Sequence, residues 1–157
     1  MRLSWHSKQD LLTSLTNGLM TSSLVFIGNL HEAMRQRGIR AFIDEEGIRT
    51  GEEIRPALLH AIRESRVAII VFSKNFAGSR FCLEELAKIL ECYKKEGRLI
   101  YPIYYYVDPS ELRRPRGSYA KTLARLERQF KDNNEKVETW RLALFQATNL
   151  VQGRTGP

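Results

Sequence analysis

The feature that most constrains the fold is a run of six apolar residues, Val67–Phe72 (VAIIVF), rich in β-branched side chains and without a polar interruption. Such a run is typical of a parallel strand buried on both faces of a sheet. Ile39–Ile43 and Leu99–Val107 are two further strand-like runs, and Pro102 in the last one predicts an edge or bulged position. The segments between these runs are too long for hairpins, so the sequence predicts a parallel sheet flanked by helices.

Helical periodicity fills the segments that connect and follow the strands. Apolar residues recur every three or four positions, and the pair Thr50 and Glu53 has capping-box spacing. Ser79 is placed to cap a helix whose apolar stripe begins at Cys82. The predicted helices are 26–37, 50–62, 79–93, 119–131 and 135–151.

The first 25 residues show neither pattern clearly. Their one apolar run, Leu24–Ile27, leads directly into the first predicted helix, so we expect no strand in 1–25. The sequence therefore predicts an atypical N-terminal segment at 1–25, a single domain at 26–151 and a tail at 152–157.

The charge of the chain is basic, with a formal net charge of +7. The surplus lies in residues 93–141, which carry twelve basic and seven acidic groups. A solvated basic face explains such a surplus. Nucleic-acid binding stays open as an alternative, but the arginine cluster at 113–116 has no interleaved aromatic residue for stacking bases, so nucleic acid is not expected as the main partner.

A metal site, a disulfide framework and a membrane span are disfavoured as well. The two cysteines and three histidines lack the spacing of a metal site or a disulfide framework. No apolar run approaches the length of a membrane span, and the first residues lack the apolar core of a secretory signal. We therefore expect no metal, no membrane contact and a location in the cytoplasm, with the nucleus left open as an additional location.

Ligands of parallel sheets bind at the loops beyond the carboxyl ends of the strands. Two such segments occur here, 44–51 and 73–86, and the second contains the adjacent carboxylates Glu84 and Glu85. On a helix with its apolar stripe turned inward, Glu84 is expected to face water and Glu85 to lie on the shoulder of the stripe, partly desolvated. This geometry leaves two roles open for Glu85, a ligand-binding carboxylate or a salt-bridge and helix-dipole residue.

Three longer segments together resemble the Toll/interleukin receptor (TIR) domain of plant disease-resistance proteins. They are FIGNLHEAMRQRGIRAFID, DEEGIRTGEEIRPALLHAIRESRVAIIVFSKNFAGSRFCLEELAKILEC and VDPSELRRPRGSYAKTL. The most specific motifs are C-L-x-E-L at Cys82–Leu86, the D-P-S turn at Asp108–Ser110 and G-S-Y at Gly117–Tyr119. The resemblance extends from about Phe26 to about Leu150 and implies a flavodoxin-like fold.

The resemblance also implies an enzymatic function. Plant members of this family cleave NAD⁺, and the family's catalytic glutamate falls on Glu85. The implied substrate-binding residues are Phe81, Ile48 and Ser79; NAD⁺ is the implied substrate, and no cofactor is implied. Because nicotinamide leaves as a neutral molecule, the reaction needs no general acid. It needs a carboxylate beside the ribose that stabilises an oxocarbenium-like transition state.

The implied partners are other TIR domains. Family members are switched on by self-association through their first and last helices, here 26–37 and 135–151, and through a second face near Gly117. A second copy of this chain, or another TIR-domain protein, is therefore the expected partner in immune signalling and cell death. The sequence contains no phosphate-loop motif, which predicts a TIR-only protein.

The sequence departs from the family's pattern at several positions. The family's opening strand, similar to D-V-F-L-S-F-R-G-E-D-T-R, is missing, which implies a sheet whose first strand is absent or replaced. Thr50 stands where a basic residue is usual, Ile48 where leucine is usual and Phe81 where tryptophan is usual. These departures keep a second function open, a catalytically inactive adaptor or decoy that binds other TIR proteins.

Overall fold

The computed structural model describes residues 11–14, 21–43 and 56–150. Strands and helices alternate as far as the fourth strand, after which three helices follow, and a 3₁₀ turn, Phe76–Gly78, precedes the third helix. The elements are β1 (Leu11–Ser14), α1 (Thr21–Gln36), β2 (Ala41–Ile43), α2 (Pro56–Glu64), β3 (Val67–Phe72), α3 (Arg80–Glu96), β4 (Leu99–Tyr104), α4 (Pro109–Arg113), α5 (Gly117–Gln129) and α6 (Asn134–Thr148).

The four described strands form one parallel sheet in the order β2-β1-β3-β4. The prediction of a parallel sheet flanked by helices is therefore confirmed. β4 lies at one edge of the described sheet, which is where Pro102 predicted an edge strand, because an edge position tolerates a missing ladder donor.

The expectation that residues 1–25 contribute no strand is wrong. Leu11–Ser14 forms β1, which pairs with β2 on one side and β3 on the other. The strand is only four residues long, and its sequence LLTS has too few positions to show either alternation or a continuous apolar run. Its place is supported by backbone pairing on both sides, which no sequence pattern reports. α1 likewise begins at Thr21, five residues before the predicted start.

The two faces of the sheet have separate cores, and the alternation of side chains along β3 divides them. Ala68, Ile70 and Phe72 belong to one large buried cluster with α2, α3, α5 and α6. Val67 and Ile69 point to the opposite face and meet α1. The large cluster therefore lies on the side of the sheet that carries α3.

The D-P-S turn begins a short helix that the sequence patterns did not predict. Asp108 caps α4, because its carboxylate accepts a hydrogen bond from the Ser110 N–H at 2.8 Å, and Pro109 occupies the first turn. Arg113 ends α4 and donates its Nε–H to the carbonyl oxygen of Thr148 at the end of α6, at 2.9 Å. The turn thus fastens the end of α6 beside the sheet.

Among the helices that the structure describes, none has both the length and the apolar content that crossing a lipid bilayer requires.

Candidate functional site

Glu85 lies in the second turn of α3, on the helix that follows β3 at the carboxyl edge of the sheet. The predicted cap is confirmed, because the Ser79 Oγ accepts a hydrogen bond from the Cys82 N–H at 3.3 Å and α3 begins at Arg80. The predicted inward stripe is buried throughout: Cys82, Leu83, Leu86, Ile89, Leu90 and Tyr93.

Glu85 is itself buried, with 5% of its surface exposed. It belongs to the same side of α3 as the core stripe, and α3 packs against both the 3₁₀ turn and β1. A carboxyl group held away from bulk water interacts more strongly with a nearby positive charge than one on the surface does. The structure thus has an acidic side chain near the carboxyl edge of the sheet, in the region where parallel sheets bind ligands.

Glu84 does not face water, and that expectation is wrong. Its side chain is 12% exposed, and its Oε1 lies 3.0 Å from Arg80 Nε and 2.6 Å from Lys136 Nζ. The reason is that α6 packs against α3 and brings Lys136 onto the Glu84 carboxylate. Two adjacent glutamates therefore have different environments, one in an ion-pair cluster and one among core residues.

Aromatic rings surround the ion pairs of Glu84. The Arg80 guanidinium lies 5.2 Å from the ring centroid of Phe130, and Lys136 Nζ lies 5.9 Å from that of Trp140. Phe130 and Trp140 contact each other edge to face at 5.2 Å. We name Arg80, Glu84, Phe130, Lys136 and Trp140 the α3–α6 clamp, because this group fastens the first turns of α3 to α6.

The predicted substrate-binding residues have different surroundings. Phe81 is half-buried at the start of α3, with the Arg80 guanidinium 5.8 Å from its ring centroid. Ser79 is also half-buried, and its hydroxyl caps α3. Ile48, the loop 44–51 that contains it and the capping-box pair Thr50 and Glu53 lie outside the described residues. The structure therefore brings Ser79, Phe81 and Glu85 together on the first two turns of one helix.

Tyr119 supports the start of α3 and is a residue whose structural role the sequence patterns did not indicate. It is buried at 2% exposure, and α5, which carries it, packs against the 3₁₀ turn. Burial raises the pKa of the Tyr119 hydroxyl far above its ordinary value, with a smaller contribution in the same direction from Cys82. Tyr119 is therefore a neutral packing residue, and the exposed part of the G-S-Y motif is Gly117 and Ser118.

Comparison with known proteins gives a consistent result. Residues 21–155 match the family model of the TIR domain. The chain is 49% identical over 125 residues to Disease resistance protein RPV1 of Vitis rotundifolia and 42% identical over 125 residues to TMV resistance protein N of Nicotiana glutinosa. These matches cover 80% of this chain but only 9% and 11% of the two relatives, so the chain spans about a tenth of their length.

A solved structure is similar over nearly the whole chain. The TIR domains in the structure of the activated Roq1 resistosome, which directly recognises the pathogen effector XopQ, superimpose on this chain with a TM-score of 0.83. The sequence identity is 38%, and the match covers 92% of this chain and 86% of the other.

Proposed function

The chain belongs to the TIR domain family, and from this premise we propose that it is an NAD⁺ nucleosidase that acts through self-association. Its relatives are TIR-type disease-resistance proteins of plants, which implies a role in immune signalling. The proposed activity, its products and the partners go beyond that relationship. The proposed setting is the cytoplasm or the nucleus of the plant cell.

The observation that carries the proposal is the buried Glu85 in the second turn of α3. It occupies the position of the glutamate in C-L-x-E-L, which the family resemblance implies to be catalytic. A negative charge held in a largely water-excluded site is suited to stabilise a positive charge that develops beside it.

The reaction is the hydrolysis of the bond between the nicotinamide nitrogen and C1′ of its ribose. The bonding electron pair moves to the positively charged ring nitrogen, nicotinamide leaves neutral, and positive charge develops on the ribose. Glu85 stabilises that charge as a carboxylate. Water then adds to C1′ and releases one proton, so NAD⁺ and water become ADP-ribose, nicotinamide and a proton.

Exposed apolar side chains on α6 support the proposal of self-association. Leu142 and Phe145 are each 55% exposed, while Trp140 and Leu144 of the same helix are buried. Large apolar side chains that a domain leaves exposed on one helix are suited to contact a partner. The solved relative is an assembly, the activated Roq1 resistosome, and we propose that α6 forms a contact between copies of this chain.

Nicotinamide release tests the activity and the association together. We expect the rate per molecule of the purified chain to increase with protein concentration, because an associated form is the active one. Leu142→Ser with Phe145→Ser should reduce that increase and keep the protein monomeric in light scattering. The matched control is Thr139→Ser, a mild change at an exposed position of the same helix. No nicotinamide from the wild-type chain at any concentration would refute the proposal.

A second candidate function is a catalytically inactive adaptor that binds other TIR proteins. The observation that favours it is β1, which carries LLTS in place of the family's D-V-F-L-S-F-R-G strand. If the chain is an adaptor, co-expression with an intact TIR protein should change cell death equally for the wild-type chain and for Glu85→Ala. If it is an enzyme, Glu85→Ala should lose the effect.

A further inference from the structure

Three aromatic side chains form a continuous row where β4 ends. The Tyr105 and Tyr106 rings contact each other edge to face, with centroids 4.8 Å apart. Tyr105 also contacts Phe26 of α1, at a centroid distance of 5.2 Å. Phe26 and Tyr105 are half-buried, so the row has a supported inner part and an outer end at Tyr106.

Tyr106 has two features that ordinary packing does not explain. Its side chain is 80% exposed, although a large aromatic ring gains most from burial. Its φ is +52°, in the left-handed region. Among the residues that the structure describes, Tyr106 is the only one other than glycine with a positive φ. A bulky residue rarely adopts this conformation, and such strained positions concentrate at functional sites.

The row lies beside the segment that leads to Glu85. The Tyr105 N–H donates a hydrogen bond of 2.8 Å to the carbonyl oxygen of Phe72, the last residue of β3. From Phe72 the chain continues through the 3₁₀ turn to the cap of α3. Tyr106 therefore lies at the carboxyl edge of the sheet, next to the connection that carries the proposed catalytic helix.

We propose that Tyr106, supported by Tyr105 and Phe26, is a stacking platform for the adenine base of NAD⁺. This inference rests on the proposed function. The bond that is cleaved must lie beside Glu85, which is buried, so the nicotinamide end of the dinucleotide occupies the enclosed part of the site. The adenine end is the remote flat ring, and an exposed phenol ring at the edge of the sheet fits a base that stays partly in water.

AMP contains the adenine end of NAD⁺ and free nicotinamide is its other end. Neither ligand contains the bond that is cleaved, so each tests binding at one end of the site. We expect Tyr106→Ala to weaken AMP binding by about tenfold, since stacking on an aromatic side chain supplies much of the affinity for a base. Nicotinamide binding should stay unchanged, and Tyr106→Phe should retain AMP binding. Tyr101→Ala is the matched control, because Tyr101 is a 39%-exposed tyrosine of β4, the strand that precedes Tyr106. Ligand-observed NMR measures each affinity.

Tyr106→Gly separates binding from folding. Glycine adopts the left-handed φ without strain, so this variant should melt at or above the wild-type temperature and still lose AMP binding. The inference is overturned if Tyr106→Ala binds AMP as tightly as Tyr101→Ala does or if its affinity for nicotinamide falls as much as its affinity for AMP. It is also overturned if the only change in Tyr106→Ala is in its association state. AMP binding that depends on Tyr106 without nicotinamide release supports the platform and contradicts the nucleosidase.

Discussion

The two faces of the sheet differ in the size of the apolar cluster that the described residues form on each. On the face that carries α3, a continuous cluster includes the fully buried rings of Phe72, Phe76 and Trp140. On the α1 face, the described cluster is smaller: its buried members are Met34 and Val67, the residues packed against them are partly buried, and Ile27 and Val71 are buried outside this cluster. The proposed catalytic residue thus lies on the side with the larger cluster. Burying a carboxylate costs free energy, and the burial of the apolar side chains around it must offset that cost.

The largest expected effect is the loss of a ring from the larger cluster. Trp140→Ala removes a side chain that is 1% exposed and contacts Phe130 and Lys136 in the α3–α6 clamp. We expect the free energy of unfolding to fall by about 4 kcal/mol, as for other large-to-small changes in a core. Chemical denaturation measures this, with Glu138→Ala at an exposed position of the same helix as the control. A loss below about 1 kcal/mol would show that the larger cluster does not depend on the clamp.

The corresponding change on the α1 face should cost less. Met34→Ala removes the long side chain of the small cluster, which is 8% exposed and bounded by partly exposed neighbours. We expect a loss of about 2 kcal/mol, at the lower end for such substitutions, because the surroundings can collapse or admit water. The same denaturation series measures it. If Met34→Ala and Trp140→Ala lowered the free energy of unfolding equally, the two faces would contribute to stability alike despite their different clusters.

Two glycines sharpen the comparison between the two sides of the sheet. The same Gly→Ala substitution should lower the free energy of unfolding on one side and raise it on the other. A Cβ at Gly78 would lie 2.5 Å from Thr122 Cγ2, and the Thr122 hydroxyl is held by the Ser118 carbonyl oxygen at 2.8 Å. Gly78→Ala should therefore lower the free energy of unfolding by about 1.5 kcal/mol. Gly28 lies within α1, and beyond its chain neighbours and its own helix backbone such a Cβ would meet no described atom within 4 Å, so Gly28→Ala should raise the free energy of unfolding by about 0.7 kcal/mol.

Thr122→Ala provides the control for the clash. In that background the methyl group of Gly78→Ala has space, and most of its destabilisation should disappear. Equal losses with and without Thr122 would mean that the backbone at Gly78, rather than the contact, sets the cost.

The smallest expected effect is an acid-dependent one on the α1 side. Hydrogen bonds from Arg35 and then Gln36 lower the pKa of Glu32 from 4.5 to about 2. A lowered carboxyl pKa stabilises the fold above the ordinary pKa, and the effect is lost as pH falls through about 2. The pair is exposed, so solvent screens it. Glu32→Gln should reduce the pH dependence of the melting temperature between pH 5 and pH 2 only slightly. A loss of stability as large as that of Met34→Ala would contradict this expectation.

Much of the α3 side could be predicted from the sequence, since its patterns are long and local. Six continuous apolar residues indicated β3, and helical spacing after Ser79 indicated the buried stripe of α3. β1 was missed because four residues carry too little pattern and its position depends on backbone pairing with two strands.

The candidate site was predictable only in part. The position of Glu85 on the shoulder of the stripe follows from the period of a single helix. The direction of Glu84 depends on α6, which packs from about 50 residues away in sequence, so helical period alone placed it wrongly. Tyr106 has no sequence signal other than its membership of a tyrosine run, because its exposure and positive φ arise from the tertiary structure.

The most direct test of the central claim compares two glutamates of α3. Glu85→Gln and Glu91→Gln remove one charge each with little change in shape, but Glu85 is buried and Glu91 is exposed with Lys88 and Lys95 beside it. Nicotinamide release from NAD⁺ is measured for both at equal concentration. The account predicts a loss of about 100-fold or more for Glu85→Gln and a change within about twofold for Glu91→Gln. Rates for Glu85→Gln equal to those of Glu91→Gln would contradict it.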